Sequence, residues 1–238
     1  MNGFLYGAAL QWKLDLRSRT MLITCYAVPL LFFAVMGGIF IAVMPESGET
    51  LIQSMSVFTV TMGALIGLPP SLTEIYRSDV KNVYQANGVP LSLGLFLTNI
   101  SAFVHLLIMS FILYVIAPVA FDAKIPAHPA AYFVGLITLI AVSLSIASVI
   151  GLAVKDTANT SMFSILLFLP STMLSGIMFP SDMLPKAFVM VGKLFPATWG
   201  YAFMTESNFA WHNLWPLLVI FIAAALICAI LLKKIETR

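Results

Sequence analysis

The residues able to do chemistry are few and lie far apart. The three histidines, His105, His128 and His212, share no ligand spacing, and the two cysteines, Cys25 and Cys228, stand near opposite ends of the chain. Only His105 falls inside a long apolar stretch, with no carboxylate or amine beside it. An intramembrane enzyme needs an acid–base or metal constellation, and a lone histidine with isolated serines supplies none. His105 therefore reads as a packed, hydrogen-bonded helix residue. Cys25 and Cys228 read as small buried hydrophobes rather than as a disulfide or metal pair. The single Gly-Lys pair, Gly192-Lys193, is followed by Leu194 and has no upstream glycine at P-loop distance. A chain without that phosphate cradle is not expected to hydrolyse nucleotide by itself. No cofactor and no metal is expected on it.

What must position these residues is a set of apolar helices. Hydrophobic residues make up 61% of the chain and charged ones 9%, outside the range of soluble domains. Six charge-free runs are long enough for a bilayer core of about 30 Å. Trimmed at their turn residues, they predict spans near 20–44, 51–70, 91–119, 130–154, 158–179 and 212–232. The fold class expected is an all-α polytopic membrane protein forming a single transmembrane domain over 1–238. The first run starts too far in, is too long and lacks a small-residue cleavage site, so it is not read as a signal peptide.

The basic residues set the orientation. Lys13, Arg17, Arg19, Arg77, Lys81, Lys155, Lys233, Lys234 and Arg238 fall on one face of a six-span chain, and Lys124, Lys186 and Lys193 on the other. Nine against three places both termini in the cytoplasm. Segment 183–205 is apolar, but a seventh span there would bury Lys193 near its centre and meet Pro196. Two short helices dipping into the outer leaflet, a re-entrant segment over 180–206, fit better, with the rest of the protein covering their backbone.

Two cytoplasmic helices are expected. Residues 2–18 carry Phe4, Ala8, Trp12 and Leu16 at helical spacing, which suits an interfacial helix with Trp12 at headgroup level. After the second span, Pro69-Pro70 reads as a stop, and Ser71 with Glu74 as a capping box opening a helix over 71–87. Leu72, Tyr76, Val80 and Val83 would line its apolar face, Asn87-Gly88 its end. That face must be buried, either on the inner leaflet and the chain's own spans or against a cytoplasmic partner.

Two segments resemble the ABC-2-type transporter permeases, the six-span membrane subunits of type V ABC exporters. In 169–201 the similarity rests on Pro170, Ser175-Gly176, Phe179-Pro180, Leu184-Pro185 and Pro196 with Tyr201. In 74–92, Arg77, Asp79, Pro90 and Ser92 match, while Lys81-Asn82 stands where the family has a glycine. The resemblance implies a permease pair, homodimeric or heterodimeric, working with two copies of an ABC ATPase that carries the ATP and Mg. It implies coupling to that ATPase through Glu74, Tyr76, Arg77, Asp79, Val80 and Val83. An outer gate would be built around Ser175, Gly176, Phe179, Pro180, Pro185 and Pro196.

The resemblance also points to the second and fifth spans as cavity walls, with Phe58, Thr59, Met62, Phe163, Leu167 and Met173 as candidate lining residues. Methionine and phenylalanine make an adaptable apolar surface, so the expected cargo is a hydrophobic or amphipathic, antibiotic- or drug-like compound leaving a bacterial cell through its inner membrane. Export of a lipid-linked or polysaccharide chain and a non-transporting scaffold remain as alternatives. Sodium extrusion is disfavoured because no span holds an Asp or Glu. Gly63 with Gly67, and Ser143 with Ala147 and Gly151, have the small-residue spacing of close helix contacts, internal or across a dimer seam. Pro170 is expected to kink or break the fifth span.

Overall fold

Residues 3–77, 84, 86, 88–206 and 209–237 are described by a computed structural model, and among them every regular element is helical. In chain order these are α1 (Gly3–Arg17), α2 (Arg19–Leu22), α3 (Val28–Val43), α4 (Leu51–Met62) and α5 (Leu68–Arg77). They are followed by α6 (Leu91–Phe121), α7 (Pro129–Ala153), α8 (Thr157–Met173), α9 (Lys186–Gly192), α10 (Pro196–Thr205) and α11 (Trp211–Glu236). A π turn over Ile23–Ala27 joins α2 to α3, and another over Gly63–Gly67 joins α4 to α5.

Among the described residues, five rods are long and apolar enough to cross a bilayer: Ile23–Val43, Leu51–Arg77, Leu91–Phe121, Pro129–Ala153 and Trp211–Glu236. The chain is an all-α polytopic membrane protein. The remaining expected span, 158–179, is helical only as α8. Its 17 residues reach about 25 Å, and the chain then bends through Leu174–Phe179, with Gly176 at φ 88°. Pro170 sits inside α8 and does not break it; the Leu174 N–H still reaches the Pro170 carbonyl.

The second rod is the central post, with 94% of its most apolar window buried. Pro69-Pro70 does not end it. A proline ring clashes with the carbonyl four residues earlier, which here belongs to Leu65 or Ile66. Both lie in the π turn, where the widened backbone accommodates the rings. Ser71 is therefore an interior residue of α5 rather than a cap, and the helix expected to open there is the continuation of the second span. Ser78–Val83, Gln85 and Asn87, the rest of that expected helix, lie outside the described residues.

Small residues let the rods close on each other. A Cβ at Gly151 would stand 2.7 Å from the Leu72 Cβ and 3.0 Å from the Pro69 carbonyl, so α7 meets α5 almost backbone to backbone. Gly63 is covered by Leu106 and Cys25, and Gly67 by Thr24. All three glycines serve internal packing. Some buried hydroxyls return to their own helices, as when Thr61 donates to Val57 O at 2.7 Å and Thr98 to Gly94 O at 2.8 Å, a solution available where water is absent. Cys25 and Cys228 are free and buried.

Candidate functional site: a vestibule and a basic end

One end of the bundle gathers Arg77, Leu152, Lys155 and Lys234, from the ends of α5, α7 and α11. The other gathers the α3–α4 connection, the bend after α8, the short helices α9 and α10, and the start of α11. The second end holds a cavity of about 940 Å³.

This vestibule has a mixed lining. Phe40 of α3, Met44 just past its end, Ile177 and Met178 of the bend, and Met183, Val189, Trp199 and Tyr201 supply apolar and aromatic surface. Ser47, Thr50, Ser54, Ser175, Ser181, Thr198 and Thr205 supply hydroxyls, and Glu46, Lys193 and His212 supply the ionisable groups. Asn213 donates to Glu206 Oε2 at 2.7 Å, and His212 Nε2 lies 3.7 Å from the same oxygen. Such a wall takes an amphipathic molecule, apolar faces on methionine and aromatic rings, polar groups on the hydroxyls.

The two short helices are clamped by backbone approach. A Cβ on Gly192 would collide with the Leu174 carbonyl oxygen, so α9 ends directly on the bend. Thr198 Oγ1 donates to Gly192 O at 2.6 Å and Trp199 Nε1 to Lys193 O at 2.8 Å, tying α10 to the end of α9. Gly200 then seats α10 on Leu139, and Gly135 seats α7 under Phe203. Pro196 is the first residue of α10 and is buried, a position where its missing N–H costs nothing. Of the expected gate residues, Ser175, Gly176 and Pro180 line the vestibule, while Phe179 and Pro185 are exposed outside it.

The expected pathway residues are not brought together. Phe58 is buried, stacked on Phe32 with centroids 3.6 Å apart and edge-on to Phe168. Thr59 and Met62 are buried beside it in the chain. Phe163 and Met173 face outward from α8 and Leu167 is half-buried; none of the six lines the vestibule. The reason is the inverted pattern of α8. Thr160, Ser164, Ser171 and Thr172 turn inward, and Met162, Phe163, Ile165, Leu166 and Leu169 turn out. In a bilayer, hydroxyls seek protein partners while apolar side chains are indifferent.

At the basic end, Tyr76 is 2% exposed and donates to Leu91 O at 2.6 Å. Leu72 is covered by α7. The apolar face expected to dock a partner through Tyr76 is thus buried on the chain's own helices. Glu74 and Arg77 remain exposed, the latter donating to Leu152 O at 2.8 Å. Asp79, Val80 and Val83 lie outside the described residues.

Helix α1 is also turned differently from expectation. Trp12 packs inward on His105, and Tyr6, Leu10 and Leu14 form the exposed apolar stripe. Gly7 permits this approach, since a Cβ there would stand 3.0 Å from Leu97. Sequence spacing missed Gly192, Thr198, Trp199 and the contribution of Phe40, Met44 and Thr50 to the vestibule. Gly192 stood out only as half of a failed nucleotide motif. The others come from separate connections that no spacing links.

The model of the ABC-2 type transporter family matches residues 4–209. That range takes in the central post, the clamped pair of short helices and the Arg77 and Lys155 side of the basic end, and stops before α11. A search of curated proteins finds no match.

Proposed function

From the chain's membership of the ABC-2 type transporter family, which makes it a membrane permease component of an ABC transporter working with an ATPase subunit, we propose that it exports a hydrophobic or amphipathic small molecule, antibiotic- or drug-like, from a bacterial cell. The vestibule is the observation that supports this reading. It lies at the end away from most of the basic residues, the end that the nine-to-three charge asymmetry favours as the outer one, and its methionine and aromatic walls suit varied apolar cargo. Two permease copies and two ATPases form the working unit. The vestibule receives cargo beneath the α9–α10 pair, which acts as the outer gate together with Ser175, Gly176 and Pro180. Force enters at the opposite end, where the exposed Glu74 and Arg77 lead into Asp79, Val80 and Val83.

The test is co-expression with the ATPase in cells lacking their main drug exporters, measuring accumulation of a panel of apolar and amphipathic dyes. Lower accumulation, abolished by an ATPase-dead partner and weakened by Met178→Ala or Trp199→Ala, is expected. No change across the panel with a fully assembled complex would overturn the small-molecule reading. One observation favours a second cargo class: seven hydroxyls beside Trp199 and Tyr201 also suit a saccharide-bearing chain. Loss of surface glycan on deleting the gene, with dye accumulation unchanged, decides for that class.

A further inference from the structure

Arg77, Lys155 and Lys234 converge on a second, smaller cavity at the basic end, of about 230 Å³. That is roughly eight times the ~30 Å³ share of a water molecule in the liquid, space for a small charged group and its hydration. The three cations come from three separate places: the end of α5, the short connection between α7 and α8, and the last turn of α11. Arg77 is held in place by its bond to Leu152 O, one acceptor for a guanidinium that carries five N–H donors.

Among the described residues, no carboxylate lines this cavity. The nearby acids among the described residues are otherwise disposed. Asp156 caps α8, accepting from the Asn159 backbone N–H at 2.9 Å and from its side-chain amide. Glu74 and Glu236 make no ion pair within 4 Å among the described residues. Three like charges around one concavity, with no counter-ion among the described residues, call for an anion.

The remaining walls identify its source. Leu231 and Ile235 are apolar, and the residues one and two turns above Lys234 on the same stripe of α11 are Ile230 and Ile227, both exposed. A charged head in the cavity would continue directly into an apolar track along the outside of α11. We propose that this cavity binds the phosphodiester head of an anionic phospholipid of the inner leaflet, with its acyl chains on the Ile227–Ile230 face. Basic cavities at the cytoplasmic ends of spans are the chemistry that recognises such heads. The inference is independent of the cargo reading, since it concerns the other end of the bundle.

The experiment is native mass spectrometry of the full-length chain titrated with phosphatidylglycerol or, in parallel, phosphatidylcholine. Preferential retention of phosphatidylglycerol is expected. Lys155→Gln and Lys234→Gln should each weaken it about fivefold and together more than tenfold, while Lys234→Arg restores it and Lys186→Gln, at the other end, leaves it unchanged. Size-exclusion profiles identical to wild type keep the comparison valid. Equal retention of both lipids, or a double variant that binds like wild type, overturns the proposal. Displacement of the lipid by inorganic phosphate at equal concentration overturns the lipid source in favour of a free-phosphate site. Should the double variant keep its lipid but lose the ATPase in a pull-down, the cavity is a protein dock and the proposal fails.

Discussion

Trp12 lies flat on His105, ring centroids 4.1 Å apart and planes within 6°. Tyr26 meets the same imidazole edge-on, its hydroxyl 2.7 Å from Nδ1. One buried histidine of α6 thus joins the N-terminal helix and the start of the first span to the bundle, which is the bland structural role its isolation in the sequence suggested. Removing the stack by Trp12→Ala should lower thermal stability, with about 0.5–1.5 kcal/mol from the ring pair beyond lost packing area. Tyr26→Phe should cost about 0.5–1.5 kcal/mol through its hydrogen bond. Thermal unfolding in one detergent, with Trp12→Phe keeping most of the wild-type stability, checks both.

Tyr76 and Glu74 separate folding from coupling. Tyr76→Asp puts an unpaired carboxylate into a buried site and should reduce folded yield itself, not merely partner binding. Tyr76→Phe should cost about 0.5–1.5 kcal/mol and still retain the ATPase. Glu74→Lys, on the exposed face, should leave the unfolding midpoint unchanged while weakening co-purification of the ATPase. If Glu74→Lys retains full co-purification and transport, force enters elsewhere.

Gly192→Ala tests the clamp under the short helices. The added methyl meets the Leu174 backbone oxygen, and such overpacking costs about 1–3 kcal/mol. The α9–α10 pair should loosen, read as faster protease cleavage between Lys186 and Lys193 without loss of membrane insertion. Gly88→Ala, whose Cβ has nothing within 4 Å but whose φ is +65°, should leave that cleavage rate unchanged.

Lys124 holds the Glu49 carboxylate below its usual value of 4.5 by a hydrogen bond and by charge. A depressed carboxyl contributes stability above its unfolded value, and this is lost as pH falls through the folded one. The difference in unfolding midpoint between wild type and Glu49→Gln should therefore be present at neutral pH and vanish at pH values well below 4.5. Because both groups are exposed, it should also shrink in high salt.

Orientation is tested by cysteine labelling in a Cys25→Ser, Cys228→Ser background. Single cysteines at Lys155 and in the C-terminal tail should react only from the cytoplasm, and one at Ser47 only from outside. Labelling of the tail from outside would reverse the assignment of vestibule and basic end.

Membership of the membrane class was legible from composition alone, because transfer into a bilayer depends on the length and polarity of a run and not on its neighbours. The helical pair between Phe179 and the last span could be read for a related reason: Lys193 and Pro196 forbid a continuous apolar helix wherever the segment packs. Continuity through Pro69-Pro70 was not readable, since it depends on the π turn at Gly63–Gly67 that makes room for the rings. Nor was the direction in which each helix faces. In water an apolar stripe marks the buried side, but in lipid both sides of a helix are apolar and the amphipathic period carries little information. Tertiary packing alone turned the hydroxyls of α8 inward and Phe163 outward, set Trp12 on His105, and closed Tyr76 beneath Leu91. It also assembled the vestibule from connections far apart in the chain, because short contacts at Gly192, Gly200 and Gly135 bring those segments to one end of the bundle.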